Sequence, residues 1–437
     1  MRFVSVLAFI VATAAAAEVP PPVIDDDYAP VSMDEVRLGR LLFYDPILSG
    51  NRNTSCATCH HPRFATSDGL SLGLGEGGVG LGPERRPDPA NMPEQRIPRN
   101  APALFNLGAR EFTVLFHDGR IETDPGRPSG LRTPLEDEMV QGFASVLSAQ
   151  TMFPVLSPDE MAGHYQENDV STAVREGIIT GPGGAWDILS RRVAAIPAYQ
   201  AMFAAAYPEI AAGRPIAFTD ISNAIAAFVG FEWRSDSSPF DAMLRGGAAL
   251  SPEAQAGMAL FYGAAGCATC HAGKFQTDHR FHAMGEPQLG PGKAERFERH
   301  SRDLGRMRVT NRDEDAYAFR TPSLRNVTAT GPWGHAGAWS DLGAFLRHHA
   351  DPSVGLSGYD RNQVVLPAID LSKPDWVILD SPDDVAAIEA AAHRGRPLGE
   401  AEVTQIIAFL EALRDQGSID GRLGVPETVP SGLPVER

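Results

Sequence analysis

The sequence has 437 residues, 43% of them hydrophobic, so its length predicts two or more domains and its composition suffices for real cores. Its 38 basic and 55 acidic residues give a formal net charge of −17 at pH 7. An acidic surface argues against nucleic acid as a partner and would attract a basic partner protein, although it is also ordinary for a soluble exported protein.

The first 17 residues have the pattern of a secretory signal peptide. Arg2 precedes an apolar run from Phe3 to Val11, and small residues then lead to a cleavage site near Ala17. The run is too short to span a bilayer, and an uncleaved membrane anchor is the weaker alternative. No later stretch approaches a transmembrane length, so we expect an exported protein that is not embedded in a membrane.

One pentapeptide occurs twice and accounts for all four cysteines, as Cys56-Ala57-Thr58-Cys59-His60 and Cys267-Ala268-Thr269-Cys270-His271. C-x-x-C-H is typical of c-type haem attachment, in which two thiols add to the haem vinyl groups and the histidine ligates the iron. A zinc knuckle, a redox cysteine pair and chance are the alternatives. Zinc needs no histidine at the next position, and chance does not readily repeat the motif. We therefore predict two covalently bound c-type haems, with His60 and His271 as iron ligands and no disulfide.

Similar blocks of sequence follow each other in the same order around the two motifs. The matched pairs are Gly39 to Tyr44 with Gly257 to Tyr262, Arg63 to Thr66 with Lys274 to Thr277, Pro102 to Asn106 with Pro322 to Asn326, and His117 to Gly119 with His335 to Gly337. This order predicts two related cytochrome c-like haem domains that arose by internal duplication.

The expected fold is mainly α, with long irregular loops rich in proline and glycine. Apolar residues at helical spacing predict core helices over residues 219–231 and 402–413. The glycine-rich tract 69–82 predicts a mobile loop over the first haem. After the signal peptide at 1–17, we expect an N-terminal haem domain over 18–245 and a C-terminal haem domain over 246–437, whose final segment packs back on the first.

These residues resemble the bacterial dihaem cytochrome c peroxidases and their MauG-like relatives over nearly the whole chain after the signal peptide. Beyond the two C-x-x-C-H motifs, the most specific segments are Phe116 to Arg120, Gln150 to Met161 and Phe319 to Asn326. The resemblance implies that the first haem, on His60, reacts with hydrogen peroxide and that the second, on His271, relays electrons to it. It also implies a periplasmic enzyme whose electron donor is a small cytochrome c or a cupredoxin.

In this family a glutamate, with a glutamine ten residues before it, moves the proton during peroxide cleavage, and Glu160 and Gln150 match that pattern. A carboxylate over the haem face can act as general base and then as general acid. Ser157-Pro158-Asp159-Glu160 is also typical of a capped helix start, so a surface carboxylate is the alternative for Glu160.

The ligands on the far side of each haem depart from the peroxidase pattern. No histidine lies between His61 and His117, so the first haem is expected to be five-coordinate or water-bound, with Met92 as an adventitious alternative ligand. For the second haem, the position of the family's methionine or tyrosine falls on His349. A bis-histidine haem should have a lower potential than a histidine–methionine haem. His348 and Met284 are the alternative ligands.

Two further sites follow from the resemblance. His117 occupies the place of a tryptophan that bridges the two haems, and histidine is a poorer electron conduit. The family also holds a calcium ion between its domains through an asparagine side chain and carbonyl oxygens. Asn100, Thr330 and Pro332 match those places, so one calcium ion is predicted there.

The sequence thus predicts a periplasmic dihaem peroxidase that reduces hydrogen peroxide to water. A first alternative is a MauG-like enzyme that uses peroxide to oxidise side chains of a partner protein. The open first haem and the absence of methionine at position 349 favour it, and His117 speaks against it. A second alternative is a non-catalytic dihaem electron carrier or peroxide sensor. Peroxidases of this family are often dimers, so the resemblance allows a homodimer.

Overall fold

The computed structural model describes residues 18–293 and 300–437, so the predicted signal peptide at 1–17 lies outside the described residues. The fold is mainly helical, as predicted. The helices before residue 235 are α1 (Met33–Tyr44), α2 (Cys56–Cys59), α3 (Val146–Gln150), α4 (Asp169–Arg175), α5 (Ala185–Ala194), α6 (Pro197–Ala206), α7 (Pro208–Ala211) and α8 (Phe218–Glu232). Those that follow are α9 (Pro239–Leu244), α10 (Pro252–Tyr262), α11 (Met307–Thr310), α12 (Leu342–Ala350), α13 (Pro382–Ala391), α14 (Glu400–Ala412) and α15 (Gln416–Asp420).

The strands are short and form small antiparallel sheets. They are β1 (Gly78–Val79) with β2 (Arg86–Pro87), then β3 (Val114–Leu115), β4 (Ile121–Thr123) and β5 (Leu131–Arg132) in that order, and β6 (Phe281–His282) with β7 (Phe319–Arg320). In the last sheet, Phe281 lies opposite Arg320 and His282 opposite Phe319. This pairing joins the loop after the second haem motif to the loop that precedes α12.

Each haem motif follows a helix that crosses a later helix at close range. Helix α1 packs against α8, and α10 packs against α14. A Cβ atom on Gly39 would lie 1.8 Å from the carbonyl oxygen of Ala224, and one on Gly257 would lie 1.8 Å from that of Gln405. Only glycine therefore fits at either crossing. Helices α8 and α14 also cover the segments 219–231 and 402–413, for which apolar periodicity predicts helices.

A second detail recurs behind the two crossings. Asn106 and Asn326 both have a left-handed backbone with φ of 62°. The amide N–H of Asn106 donates to the carbonyl of Trp233, and that of Asn326 donates to the carbonyl of Leu413, each the residue that ends the crossing helix. The side-chain oxygen of Asn106 also accepts the amide N–H of Ser235 at 2.7 Å, and that of Asn326 accepts the amide N–H of Asp415 at 2.6 Å. Ser235 and Asp415 each lie two residues after the end of the crossing helix.

The buried side chains form two main cores. The larger contains Leu38, Phe43 and Phe228 and surrounds α1 and α8; the other contains Phe261 and Phe409 and surrounds α10 and α14. Neither core marks residue 245 as a boundary, so the two-domain division at 245/246 stays a prediction. No helix within residues 18–293 and 300–437 has the length and apolar character needed to cross a membrane.

The C-terminal segment lies against residues of the first half. The guanidinium of Arg40 donates to the carbonyl of Gly424 at 2.8 Å, and the hydroxyl of Ser431 donates to Asp45 at 2.6 Å. Near the chain end, Glu436 accepts a hydrogen bond from Thr58, inside the first haem motif. The end of the chain thus reaches the first attachment site.

The glycine-rich tract 69–82 is packed, which corrects the expectation of a mobile loop. Leu70, Leu72 and Leu74 are fully buried in it. The guanidinium of Arg85 donates to the carbonyls of Gly75 at 2.7 Å and of Gly80 at 2.6 Å. Buried leucines and a guanidinium shared by several carbonyls hold the tract in one place.

Candidate functional site

The first C-x-x-C-H motif forms a single helical turn, α2. The amide N–H of His60 donates to the carbonyl of Cys56 at 3.0 Å, which brings the two cysteines and the histidine onto one compact loop. The Nδ1 atom of His60 lies 3.0 Å from the carbonyl oxygen of Thr66. Burial lowers the pKa of His60. A neutral imidazole that donates Nδ1–H to a carbonyl leaves Nε2 as a metal ligand.

The second motif has the same arrangement. The amide N–H of His271 donates to the carbonyl of Cys267 at 2.9 Å, and its Nδ1 lies 3.1 Å from the carbonyl oxygen of Gln276. Burial, and then the neighbouring imidazole of His349, lower the pKa of His271 to about 4. The four cysteines form no disulfide. Both motifs therefore fit covalent haem attachment with an axial histidine.

His349 faces His271 across the second site. Their ring centres are 6.1 Å apart. Two imidazoles that share one metal through Nε2 have ring centres roughly 6 Å apart, given metal–nitrogen bonds of roughly 2 Å and roughly 1 Å from each nitrogen to its ring centre. The Nδ1 atom of His349 lies 3.4 Å from Oε1 of Glu286, so its Nε2 is also left for a metal. The separation suits a bis-histidine haem, and the ligand role of His349 stays a prediction.

The alternative ligands lie elsewhere. His348 is buried, its Nε2 lies 3.0 Å from the carbonyl oxygen of Gly285, and its ring centre is 5.1 Å from that of Trp339. Met284 is half-buried in the loop after β6, and Met92 is 45% exposed. His61, next to the first axial histidine, is buried and accepts the amide N–H of Arg63 at 3.1 Å through Nδ1.

Glu160 lies on a π-helical turn, Pro158–Ala162, against the packed glycine-rich tract. The amide N–H of Glu76, in that tract, donates to the carbonyl of Asp159 at 3.0 Å. Burial raises the pKa of the Cys59 thiol, and the charges of Asp68 and Glu160 raise it further, which puts both carboxylates near this attachment site. The Glu160 side chain is half-buried, with 23% of it exposed, and its catalytic role stays a prediction.

Two residues complete the surroundings of Glu160. Its carboxylate lies 3.9 Å from the ammonium of Lys293, whose side chain is 24% exposed. Burial and then the charge of Arg120 lower the pKa of Lys293 to about 8. Gln150 is the last residue of α3, and its buried Oε1 has no hydrogen-bond partner among the described residues. A buried acceptor of this kind calls for a ligand that donates to it.

The region between the two motifs holds buried charges and imidazoles. The guanidinium of Arg99 donates to Asp303 at 2.6 Å and to Asp118 at 2.7 Å. His117, at the expected place of a bridging tryptophan, lies with Nε2 3.1 Å from the carbonyl oxygen of Asn100. Burial and then the charge of Arg99 lower the pKa of His117 to about 3, so it is a neutral side chain at ordinary pH.

The predicted calcium ligands are held by other contacts. The side-chain amide of Asn100 donates to the carbonyl of Leu70 at 2.7 Å, and the hydroxyl of Thr330 donates to that of Val327 at 3.1 Å. Pro332 follows a cis peptide bond. In the described part of the chain, no hydrogen bond joins these three residues to one another. The calcium ion stays a prediction.

Lys293 and Glu286, which the structure brings to the two sites, have no signal in the sequence. Both belong to the irregular segment after β6, where neither periodicity nor a motif marks a function. Glu286 is buried, and its second oxygen, Oε2, accepts the indole N–H of Trp339 at 3.1 Å. Burial alone would raise the pKa of Glu286, but the hydrogen bond with His349 and the nearby His348 hold that pKa below its usual range.

Comparisons with known proteins agree with this geometry. The family described as di-haem cytochrome c peroxidase matches residues 33–249. The methylamine utilization protein MauG of Methylorubrum extorquens is 31% identical over 73% of this chain and 69% of its own length. The cytochrome c551 peroxidase of Pseudomonas aeruginosa is 28% identical over 70% of this chain and 69% of its own.

Solved structures show the same fold. A MauG-like protein associated with microbial copper homeostasis matches with a TM-score of 0.56 and 24% identity, covering 94% of this chain and 97% of that one. The diheme peroxidase BthA of Burkholderia thailandensis matches with a TM-score of 0.56 and 20% identity over 98% and 97% of the two chains. With two haem-attachment motifs, a histidine at the end of each and these relatives, the chain belongs to the di-haem cytochrome c peroxidase family, oxidoreductases that carry two c-type haems and use peroxide.

Proposed function

We propose that this protein reduces hydrogen peroxide to water at the first haem, with Glu160 moving the proton and the second haem delivering electrons. The observation that carries the proposal is the place of Glu160. Its carboxylate lies near Cys59, is mostly shielded from solvent and has the ammonium of Lys293 at 3.9 Å. No histidine in the sequence between His61 and His117 competes for the far side of the iron.

The first haem, when bound, supplies the iron at which the O–O bond of peroxide breaks. Glu160 as a carboxylate accepts the proton of the peroxide oxygen nearer the iron and returns it to the farther oxygen, which leaves as water. The buried Oε1 of Gln150 can accept a hydrogen bond from the peroxide O–H and hold it in place. Two electrons and two protons complete the reduction of one peroxide to two waters.

Electrons enter at the second haem from a small cytochrome c or a cupredoxin in this proposal. The formal charge of −17 supports a basic donor, since it would attract such a protein over a long range. A periplasmic location supports the same pairing, because c-type haems are attached outside the bacterial inner membrane.

We also infer that the two haem domains, divided at 245/246, arose by duplication. The supporting observations are two equal glycine contacts at the helix crossings, on Gly39 and Gly257, and two left-handed asparagines with matched partners, Asn106 and Asn326. Sequence similarity alone allows convergence on the C-x-x-C-H motif. Matched backbone details away from the haem are harder to explain without a common ancestor.

Peroxide-dependent oxidation of a partner protein is the second candidate. The facing rings of His271 and His349 favour it, because two nitrogen ligands stabilise higher oxidation states than a thioether does. In this case the substrate would be a protein side chain and the donor cytochrome would be unnecessary.

The test is stopped-flow absorption of the oxidised protein mixed with hydrogen peroxide and no reductant. We expect a fast reaction in the native protein and a loss of 100-fold to 10,000-fold, on the order seen for general acid–base groups, in Glu160→Gln. Asp159→Asn is the matched control. Asp159 lies next to Glu160 on the same turn, but its carboxylate accepts a hydrogen bond from the side-chain amide of Gln95 at 2.8 Å. An unaffected Glu160→Gln would contradict the proposal. Native reaction that begins only after reduction of one haem would contradict the open first haem and leave the peroxidase standing.

The same experiment separates the two candidates. An absorption change that persists for minutes without reductant, and that a cytochrome c donor does not discharge, indicates oxidation of a partner protein. Rapid discharge by the donor, with peroxide consumed in a fixed ratio to donor oxidised, indicates the peroxidase.

A further inference from the structure

Glu286 lies between two donors in the second site. It is 9% exposed and follows β6 in the irregular segment that lies against α12. Its Oε1 lies 3.4 Å from Nδ1 of His349, and its Oε2 accepts the indole N–H of Trp339 at 3.1 Å. Each oxygen therefore has one partner, and the indole N–H competes with His349 for the negative charge of the carboxylate.

The two imidazoles of this site differ in what holds them. His271 and His349 face each other with ring centres 6.1 Å apart. Nδ1 of His271 lies against the peptide carbonyl of Gln276 at 3.1 Å, whereas Nδ1 of His349 lies against a carboxylate. A carboxylate is the stronger acceptor, because it carries a full negative charge.

We propose that Glu286 is a positioning residue for His349, whose carboxylate accepts the Nδ1–H proton, orients the ring and makes Nε2 a stronger donor to the second haem. The inference rests on the proposed role of His349 as the axial ligand. A histidine whose other nitrogen donates to a carboxylate is a more basic ligand. A more basic ligand favours the oxidised iron, so Glu286 lowers the potential of the second haem.

A lower reduction potential of the second haem affects the direction of electron flow. A low potential at the second haem makes it a weak acceptor from a high-potential donor and a strong donor to the first haem. Glu286 would thus bias the pair toward sending electrons in one direction. The chain supplies this bias from a loop residue that neither haem motif contains.

The test is a spectroelectrochemical titration of the holoprotein, with EPR of its oxidised form. In Glu286→Gln we expect the second haem to shift about tenfold toward its reduced state, or about 59 mV for one electron. Its low-spin EPR g-values should move, and the first haem should keep its potential. Asp278→Asn is the matched control, since Asp278 also acts on His271 but pairs with His282 at 2.9 Å. Asp278→Asn should leave the g-values unchanged.

A second variant tests the inference independently, in case Glu286→Gln does not fold. Trp339→Phe removes the competing N–H and leaves the negative charge, so it should shift the second haem in the opposite direction, toward its oxidised state. Equal shifts in Glu286→Gln and Asp278→Asn with unchanged g-values would overturn the inference, since only long-range charge would then act. An unchanged EPR spectrum in His349→Ala would overturn the inference and the ligand assignment, while peroxide reduction in stopped flow would still stand.

Discussion

The ammonium of Lys293 lies 3.9 Å from the carboxylate of Glu160, although the two residues come from opposite halves of the chain. The contact gives the proposed base a cation beside it. Opposite charges at this range attract each other, so the ammonium helps to hold the carboxylate in position.

Replacement of Lys293 by methionine should slow the reaction with peroxide, most of all at low pH. Without the ammonium, the carboxylate of Glu160 loses the cation that lies 3.9 Å from it and holds it in place, a contact that Lys293 makes only while it is charged. We expect a rate about tenfold lower than native at pH 6 and a smaller difference at pH 8, where Lys293, with its pKa near 8, has begun to lose its charge in the native protein. Stopped-flow rates across this pH range measure the effect.

Lys293→Arg is the control for that experiment. It keeps the charge, so its rates should stay close to native at pH 6. Equal loss in the methionine and arginine variants at every pH would mean that the shape of Lys293, rather than its charge, matters.

A second prediction concerns Asp68, which is 3% exposed. Burial raises the pKa of this carboxyl from its ordinary value of 3.8 to about 7. Between these two values the folded protein binds more protons than the unfolded chain, so stability falls as the pH rises through this window, and the full cost applies above pH 7. The shift corresponds to about 4 kcal/mol, with each pKa unit contributing about 1.4 kcal/mol.

Asp68→Asn should remove this cost and keep the hydrogen bond from the amide N–H of Leu70, which Asp68 accepts at 3.0 Å. The free energy of unfolding should rise by about 2 to 3 kcal/mol more at pH 8 than at pH 5, measured by denaturant titration. Asp26→Asn, at an exposed carboxylate, should show no such difference. An increase in the free energy of unfolding that is the same at both pH values would show that the charge of Asp68 does not destabilise the folded protein.

The helix crossings give a third prediction, on stability. Gly39→Ala and Gly257→Ala each place a methyl group where the carbonyl of the crossing helix lies 1.8 Å away. The helices must separate, which should cost about 3 kcal/mol or more in each case. Gly358→Ala is the control, because nothing lies within 4 Å of its added Cβ. Thermal unfolding of the three variants compares them, and a Gly257→Ala protein as stable as Gly358→Ala would argue against the equivalence of the two crossings.

The attachment sites and the main helices could be predicted from the sequence, because both depend on local signals. A C-x-x-C-H motif is contiguous, and apolar residues at helical spacing identify α8 and α14. Glu286 and Lys293 could not be predicted in this way. They reach His349 and Glu160 through an irregular segment, and their partners are set by the packing of distant parts of the chain.

The tract 69–82 shows a different reason for error. Its glycines suggested mobility, but the leucines between them, such as Leu72, point into the interior, and the Arg85 side chain ties its carbonyls together. Glycine permits unusual backbone angles in packed segments as well as in mobile ones.

The sequence favours His349 over His348 as the second ligand of the second haem, and the geometry of α12 leads to the last prediction. Adjacent residues of a helix point about 100° apart, so only one of the two can face His271. The structure turns His349 toward His271 and ties Nε2 of His348 to the carbonyl of Gly285 at 3.0 Å. His349→Ala should therefore convert the second haem from a low-spin to a high-spin iron, seen by absorption and EPR of the oxidised protein, whereas His348→Ala should leave it low-spin. A high-spin signal from His348→Ala alone would assign the ligand to His348 and shift the register of α12 by one residue.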